Sequence, residues 1–173
     1  MRKLLFKNLV RPALTEPVEG DQEIASLMRT LDSAARRNLG RSLSIRHVDA
    51  GSCNGCELEV HALANVFYDL ERFGLHFVAS PRHADVLFVT GPVTHNMREA
   101  LERTYNATPN PKWVVSVGTC ALDGGMFSGS YACVGGVSKV VPVDLHIRGC
   151  PPTPMALLRG LIALIEKNVR AAS

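Results

Sequence analysis

The stretch DVLFVTG, residues 85–91, places Val86, Leu87, Phe88, Val89 and Thr90 in a row and closes on a glycine. A short run that is apolar on both of its faces reads as a strand buried on both sides, the kind found in parallel sheets covered by helices. KWVVSVG (112–118) repeats the pattern. Working outward, SLSIRHV (42–48) and LHFVAS (75–80) read as further strands. KVVPVDLHI (139–147) contains one more, which Pro142 interrupts or places at an edge.

Helical periodicity fills the gaps between these strands. In residues 21–38, Ile24, Leu27, Met28 and Leu31 fall at i, i+3, i+4 and i+7, with Asp21 able to cap the start and Gly40 beyond the end. Helices are also expected over 57–73, 95–107 and 154–169, the last with Pro154 in its first turn, where a missing N–H costs nothing. Residues 119–138 read as one Gly-rich loop. Alternating strands and helices predict an α/β fold, a compact sandwich around a mostly parallel sheet. Residues 1–40 form an N-terminal extension with a helix at about 21–38, and 41–173 form the main domain.

The chain has 173 residues, 46% hydrophobic and 20% charged, which suits one soluble domain. Its net charge of +3 is too mild to imply nucleic acid, and no aromatic-studded basic stripe strengthens that case. No apolar run approaches the roughly 20 residues that cross a bilayer. The start, MRKLLFKNLVRPALTEP (1–17), lacks both the apolar core of a secretory signal and a twin-arginine pair, so the chain is expected to stay in the cytoplasm. That segment can lie on an anionic membrane surface or dock on a membrane subunit.

Five cysteines in a cytoplasmic chain suggest metal binding or catalysis, not disulfides. Cys53 and Cys56 follow the first strand, Cys120 follows the strand ending near Gly118, and Cys150 follows the strand ending near Ile147. Loops after parallel strands converge at one sheet edge, so these four thiols can meet there. A 4Fe–4S cluster takes one cysteine per iron, whereas structural zinc takes a tetrahedral set. One tight pair, two distant single cysteines and a nearby glycine at each (Gly51, Gly55, Gly118, Gly149) lean toward the cluster. Zinc and a redox dithiol stay open on spacing alone. Cys133 follows no strand and reads as a partly buried free thiol.

The motifs SCNGCELE (52–59), PRHADVLFVTGPVT (81–94), VGTCALDGGMF (117–127) and VPVDLHIRGCPPTP (141–154) together resemble the small-subunit family shared by energy-converting [NiFe] hydrogenases and respiratory complex I. The match is nearest to the group 4, formate hydrogenlyase-like branch. The resemblance implies a flavodoxin-like three-layer sandwich without flavin. It also implies one 4Fe–4S cluster on Cys53, Cys56, Cys120 and Cys150, at the C-terminal edge of the strands. It further implies electron relay between a ferredoxin-like iron–sulfur subunit and the active site of a large subunit, which is a [NiFe] hydrogenase subunit or its complex I homologue. Membrane subunits complete such a complex, which sits peripherally on the cytoplasmic side of the cell membrane. The lone chain is expected to have no catalytic residue and no turnover of its own. A nickel-free or quinone-reducing complex is the alternative setting.

One departure from the family pattern concerns charge. Arg148 stands where the family usually has proline, and a cation beside a cluster favours its reduced state. Glu57 and Glu59 open a helix, where carboxylates suit the positive end of the dipole; the alternative for Glu57 is a place on a proton path at the large-subunit interface. His47, His61, His76, His83, His95 and His146 show no mutual ligand spacing and read as structural or solvated. The Gly-rich segments 123–129 and 134–138 match no nucleotide-binding motif and suit a flexible loop or a subunit interface.

Overall fold

A computed structural model describes residues 21–172; the N-terminal segment expected at a membrane or membrane subunit lies outside them. The sheet is built from β1 (Ser44–Asp49), β2 (His76–Phe77), β3 (Val86–Thr90), β5 (Trp113–Val117) and β7 (Leu145–Ile147). Its order is β2-β1-β3-β5-β7 and every pairing is parallel. Counting only these five, the order is 2-1-3-4-5, the doubly wound flavodoxin-like arrangement. β4 (Val93–Thr94) and β6 (Cys133–Gly135) form a separate antiparallel pair.

The described α-helices are α1 (Asp21–Leu39), α2 (Gly55–Ala62), α3 (His95–Ala107), α4 (Thr119–Asp123) and α5 (Pro154–Ala172). Alternation along β3 divides the core. Val86 and Phe88 join a cluster with Met28 and Leu31 of α1, Val60 of α2 and Leu157 and Leu161 of α5. Leu87 and Val89 join a second cluster with Leu101 of α3, Ala121 of α4 and Val137. All five residues of β3 are buried, as its composition requires. α1 packs into the same cluster as α5, so the described part of the N-terminal extension completes one core layer.

Three expectations need correction. The helix expected over 57–73 stops at Ala62, and only Leu70–Phe73 turns helically again, as a 3-10 segment. The break has a local cause: Asn65 Oδ1 accepts from the N–H groups of Phe67 and Tyr68, at 2.9 and 3.0 Å, and this turn competes with the helix. Asp69, with φ +46, bends the chain further. The strand expected over 75–80 is only His76–Phe77. Residues 119–138 are not one loop: they contain α4, two 3-10 turns and β6.

A buried carboxylate fixes how the sheet begins. Asp85 Oδ2 accepts from the Ser44 N–H at 2.9 Å, and its Oδ1 pairs with Arg41. This joins the start of β1 to the residue before β3. Phe88 is among the largest fully buried side chains and sits mid-sheet. Phe88→Ala is expected to cost about 3–5 kcal/mol in a denaturant titration, from lost burial and the cavity left behind.

Candidate functional site, a four-cysteine cavity

The C-terminal ends of β1, β3, β5 and β7 carry loops that are hydrogen-bonded to one another. Asp49 Oδ1 accepts from the N–H groups of Gly51 and Ser52, both at 2.8 Å, turning the chain off β1. Ala50 N–H donates to the Thr90 carbonyl at 3.0 Å, and Thr94 N–H donates back to the Ala50 carbonyl at 2.9 Å. Across the sheet, Thr119 donates to the Gly149 carbonyl through both its N–H, at 2.9 Å, and its Oγ1, at 3.1 Å. The loop holding Cys120 is thereby tied to the loop holding Cys150.

Cys53, Cys56, Cys120 and Cys150 line one cavity of about 110 Å³, together with Ser52, Thr119, Pro151 and Gly55, Gly91 and Gly149. The structure therefore brings all four expected residues together. Cys53 and Cys150 are exposed, while Cys56 and Cys120 are partly buried. Cys56 enters near the start of α2, immediately after a left-handed turn at Asn54 that makes no side-chain cap. The first N–H groups of that helix remain available to an anionic group.

Glycine is needed at two points around the sulfurs. A Cβ at Gly118 (φ +91) would lie 2.6 Å from Cys56 Sγ. One at Gly125 (φ +51) would lie 2.7 Å from Cys120 Sγ. Gly118 thus clears space for Cys56, not for its sequence neighbour Cys120. Gly125 was absent from the glycines expected at the site, because it approaches Cys120 only through the turn that follows α4.

The thiols share one electrostatic environment. Burial pushes the Cys56 thiol up to about 12, reinforced by the charge of Glu57 and then by Cys53, Cys120 and Cys150. Burial also raises Cys120, with Cys150 next in effect, against a hydrogen bond from the Met126 N–H that favours the thiolate. Four thiolates are thus unfavourable together without a compensating cation, and bound metal would supply one. Among the described residues, no group of three or more His, Cys, Asp and Glu side chains is placed to hold a single metal ion. The four cysteines share the lining of one cavity.

Other residues fall where the sequence did not place them. Cys133 lies in β6, half-buried, and lines no part of the cavity. Glu57 sits in the first turn of α2 as expected, but it is buried and accepts a hydrogen bond from Thr90 Oγ1 at the end of β3. His47 Nε2 is 3.0 Å from the same Thr90 oxygen and 3.7 Å from Glu57 Oε1. Sequence reasoning missed this trio because its members lie on different elements; alternation along β1, which puts His47 on the same face as buried Ile45, was the available signal. His76 pairs with Ser44 at 3.1 Å, and His146 pairs with Ser116, both cross-strand contacts. Arg148 is exposed.

A doubly wound α/β sheet with four cysteines at its carboxyl edge defines the class. Residues 53–164 match the family described as NADH ubiquinone oxidoreductase, 20 Kd subunit, and the chain belongs to that family. It is 43% identical over 173 residues to formate hydrogenlyase subunit 7 of Escherichia coli, covering 96% of this chain and 66% of that protein. The chain therefore spans just under two thirds of that relative's length. It is 45% identical over 129 residues to the "Probable membrane-bound hydrogenase subunit mbhJ" of Pyrococcus furiosus, covering 75% and 77%. Among solved structures, a chain of the membrane-bound sulfane sulfur reductase, an archaeal respiratory membrane complex, matches with TM-score 0.65 and 34% identity, over 80% of this chain and 74% of that one. These relatives are subunits of oxidoreductase complexes. Among the described residues, no helix is long and apolar enough to cross a membrane.

Two outcomes are expected, the first for the chain without bound metal. Iodoacetamide at pH 8 labels Cys53 and Cys150 first and Cys56 last, read by peptide mass spectrometry, because alkylation needs an accessible thiolate. Gly118→Ala loses metal loading while retaining most secondary structure, measured by metal content and circular dichroism, because the added methyl group displaces Cys56 Sγ.

Proposed function

We propose that this chain is the electron-transfer subunit of a membrane-associated hydrogenase complex, holding one 4Fe–4S cluster on Cys53, Cys56, Cys120 and Cys150. It relays electrons between a ferredoxin-like subunit and the active site of a large subunit. The observation that carries the reading is the single cavity lined by all four cysteines, drawn from three loops at one sheet edge. Similarity to two hydrogenase-complex subunits at 43% and 45% identity supports the setting. Residues 41–173 form the cluster-binding domain, with α1 completing its core, and the complex sits on the cytoplasmic side of the membrane.

When bound, a 4Fe–4S group supplies a one-electron carrier. The chain's own residues hold it. Cys53 and Cys56 ligate from the β1 loop and the start of α2, where the helix dipole favours negative charge. Cys120 and Cys150 ligate from loops that Thr119 locks together. Gly118 and Gly125 let backbone come close to sulfur. Because the ligands sit on hydrogen-bonded loops of a packed sheet, their positions shift little between charge states.

The similarity to a sulfane sulfur reductase chain, at 34% identity, favours a second setting: the same relay in a complex that does not handle hydrogen. The large subunit decides between the two.

The test begins with the full chain, reconstituted anaerobically with iron and sulfide. It should turn brown, bind about four irons as the cluster stoichiometry requires, and show a 4Fe–4S electron paramagnetic resonance signal on reduction. Cys→Ala at positions 53, 56, 120 or 150 should each abolish or strongly reduce that signal, and Cys133→Ala should leave it intact. A colourless protein that takes up one zinc would overturn the reading. The complex purified with its native partners, if it contains nickel and reduces viologen with H2, places the relay in a hydrogenase.

A further inference from the structure

We infer that a second cavity, at the border of β1, is a binding site for a small free carboxylate with an apolar body, and that Arg46 takes the carboxylate. This cavity shares no lining residue with the four-cysteine cavity, and the cluster reading is not needed for it.

The cavity forms where β2 ends. β2 pairs with β1 only at Ser44 and Ile45, which leaves the border of β1 open beside Arg46 and His47. A space of about 350 Å³ lies there, with apolar walls from Val60 of α2, Ala64 just beyond that helix, Phe77 of β2 and Val78 after it. That volume falls in the range of small-molecule sites, which are mostly apolar with a few placed polar groups.

Arg46 lines this cavity and is half-buried. Its Nε is buried and meets no acceptor, and the side chain forms no ion pair among the described residues. Arg36, Arg41, Arg98, Arg103 and Arg159 each meet a carboxylate although all five are exposed. A buried donor without an acceptor is uncommon in a folded chain and marks a place where an outside acceptor fits. A guanidinium can present two parallel N–H groups to one carboxylate, which makes the pairing specific as well as strong.

The rest of the lining selects the class of anion. His47 also borders the cavity, and burial lowers its pKa, so its ring is neutral near pH 7. His61 and Glu71 complete the polar lining but are exposed, and solvent screens the charge they carry. Arg46 is therefore the least screened charge of the lining. One counter-charge beside apolar walls suits a single carboxylate on an apolar body. It suits a phosphate dianion poorly, because the second charge would be desolvated without a partner.

The test titrates hexanoate into the full chain by isothermal titration calorimetry. Saturable binding at one site per chain is expected. Arg46→Gln should weaken it about tenfold or more, the loss expected for a hydrogen-bonded charge pair. Hexanol, the uncharged match, and inorganic phosphate should both bind more weakly than hexanoate. Ala64→Phe fills the cavity from an exposed position without changing charge and should block binding. It carries the test should circular dichroism show that Arg46→Gln does not fold. Absence of hexanoate binding overturns the assignment. So does an affinity unmoved by Arg46→Gln, or by Ala64→Phe if only that variant folds, and so does hexanol or phosphate binding as tightly as hexanoate. Hexanoate that binds the lone chain but is shut out of the complex purified with its native partners also overturns it, because the cavity then belongs to a subunit contact.

Discussion

Parallel pairing of β1, β3, β5 and β7 in fixed register is the constraint on which the site depends. Because the strands run the same way, the chain must leave each at the same edge, and the loops that follow are forced into one place. Asp49, Ala50, Thr94 and Thr119 then turn that coincidence into a rigid frame by bonding loop to loop. The cysteines do not build the site. They occupy positions that the sheet has already brought together, which explains how residues 53 and 150 can line one cavity of about 110 Å³.

The core supports this frame from both faces of the sheet. Alternate residues of β3 feed two clusters, one under α1, α2 and α5 and the other under α3 and α4. Neither face of the central strand is left to water. The cost of gathering the thiols is visible in their acidity, with Cys56 pushed up to about 12. A packed scaffold can carry such an unfavourable group because its stability comes from elsewhere.

Much of this was legible in the sequence, for identifiable reasons. Uniformly apolar strands such as residues 86–90 announce themselves, and α3 has the bounds its periodicity predicts, His95–Ala107. The four cysteines were legible because each follows a strand. What was not legible depends on single side chains or on long-range contact. Asn65 stops α2 by a local hydrogen-bonded turn that a run of helix formers conceals. The pairing of β6 with β4 joins segments some forty residues apart and replaces an expected loop. Glu57 read as a helix-start carboxylate, and nothing in its immediate neighbours pointed to Thr90.

The strand lengths described for the sheet bear on how such a chain survives before it meets other subunits. Its two borders are its shortest strands, two residues in β2 and three in β7. A sheet border exposes unpaired N–H and C=O groups to any strand that passes, and long flat borders invite runaway polymerisation. These borders offer almost no template. The exposed apolar residues Leu58, Val66, Met126 and Tyr131 lie elsewhere, outside the strands. Association is thereby left to side-chain surfaces, which discriminate between partners by shape and chemistry, and is withheld from backbone pairing, which does not.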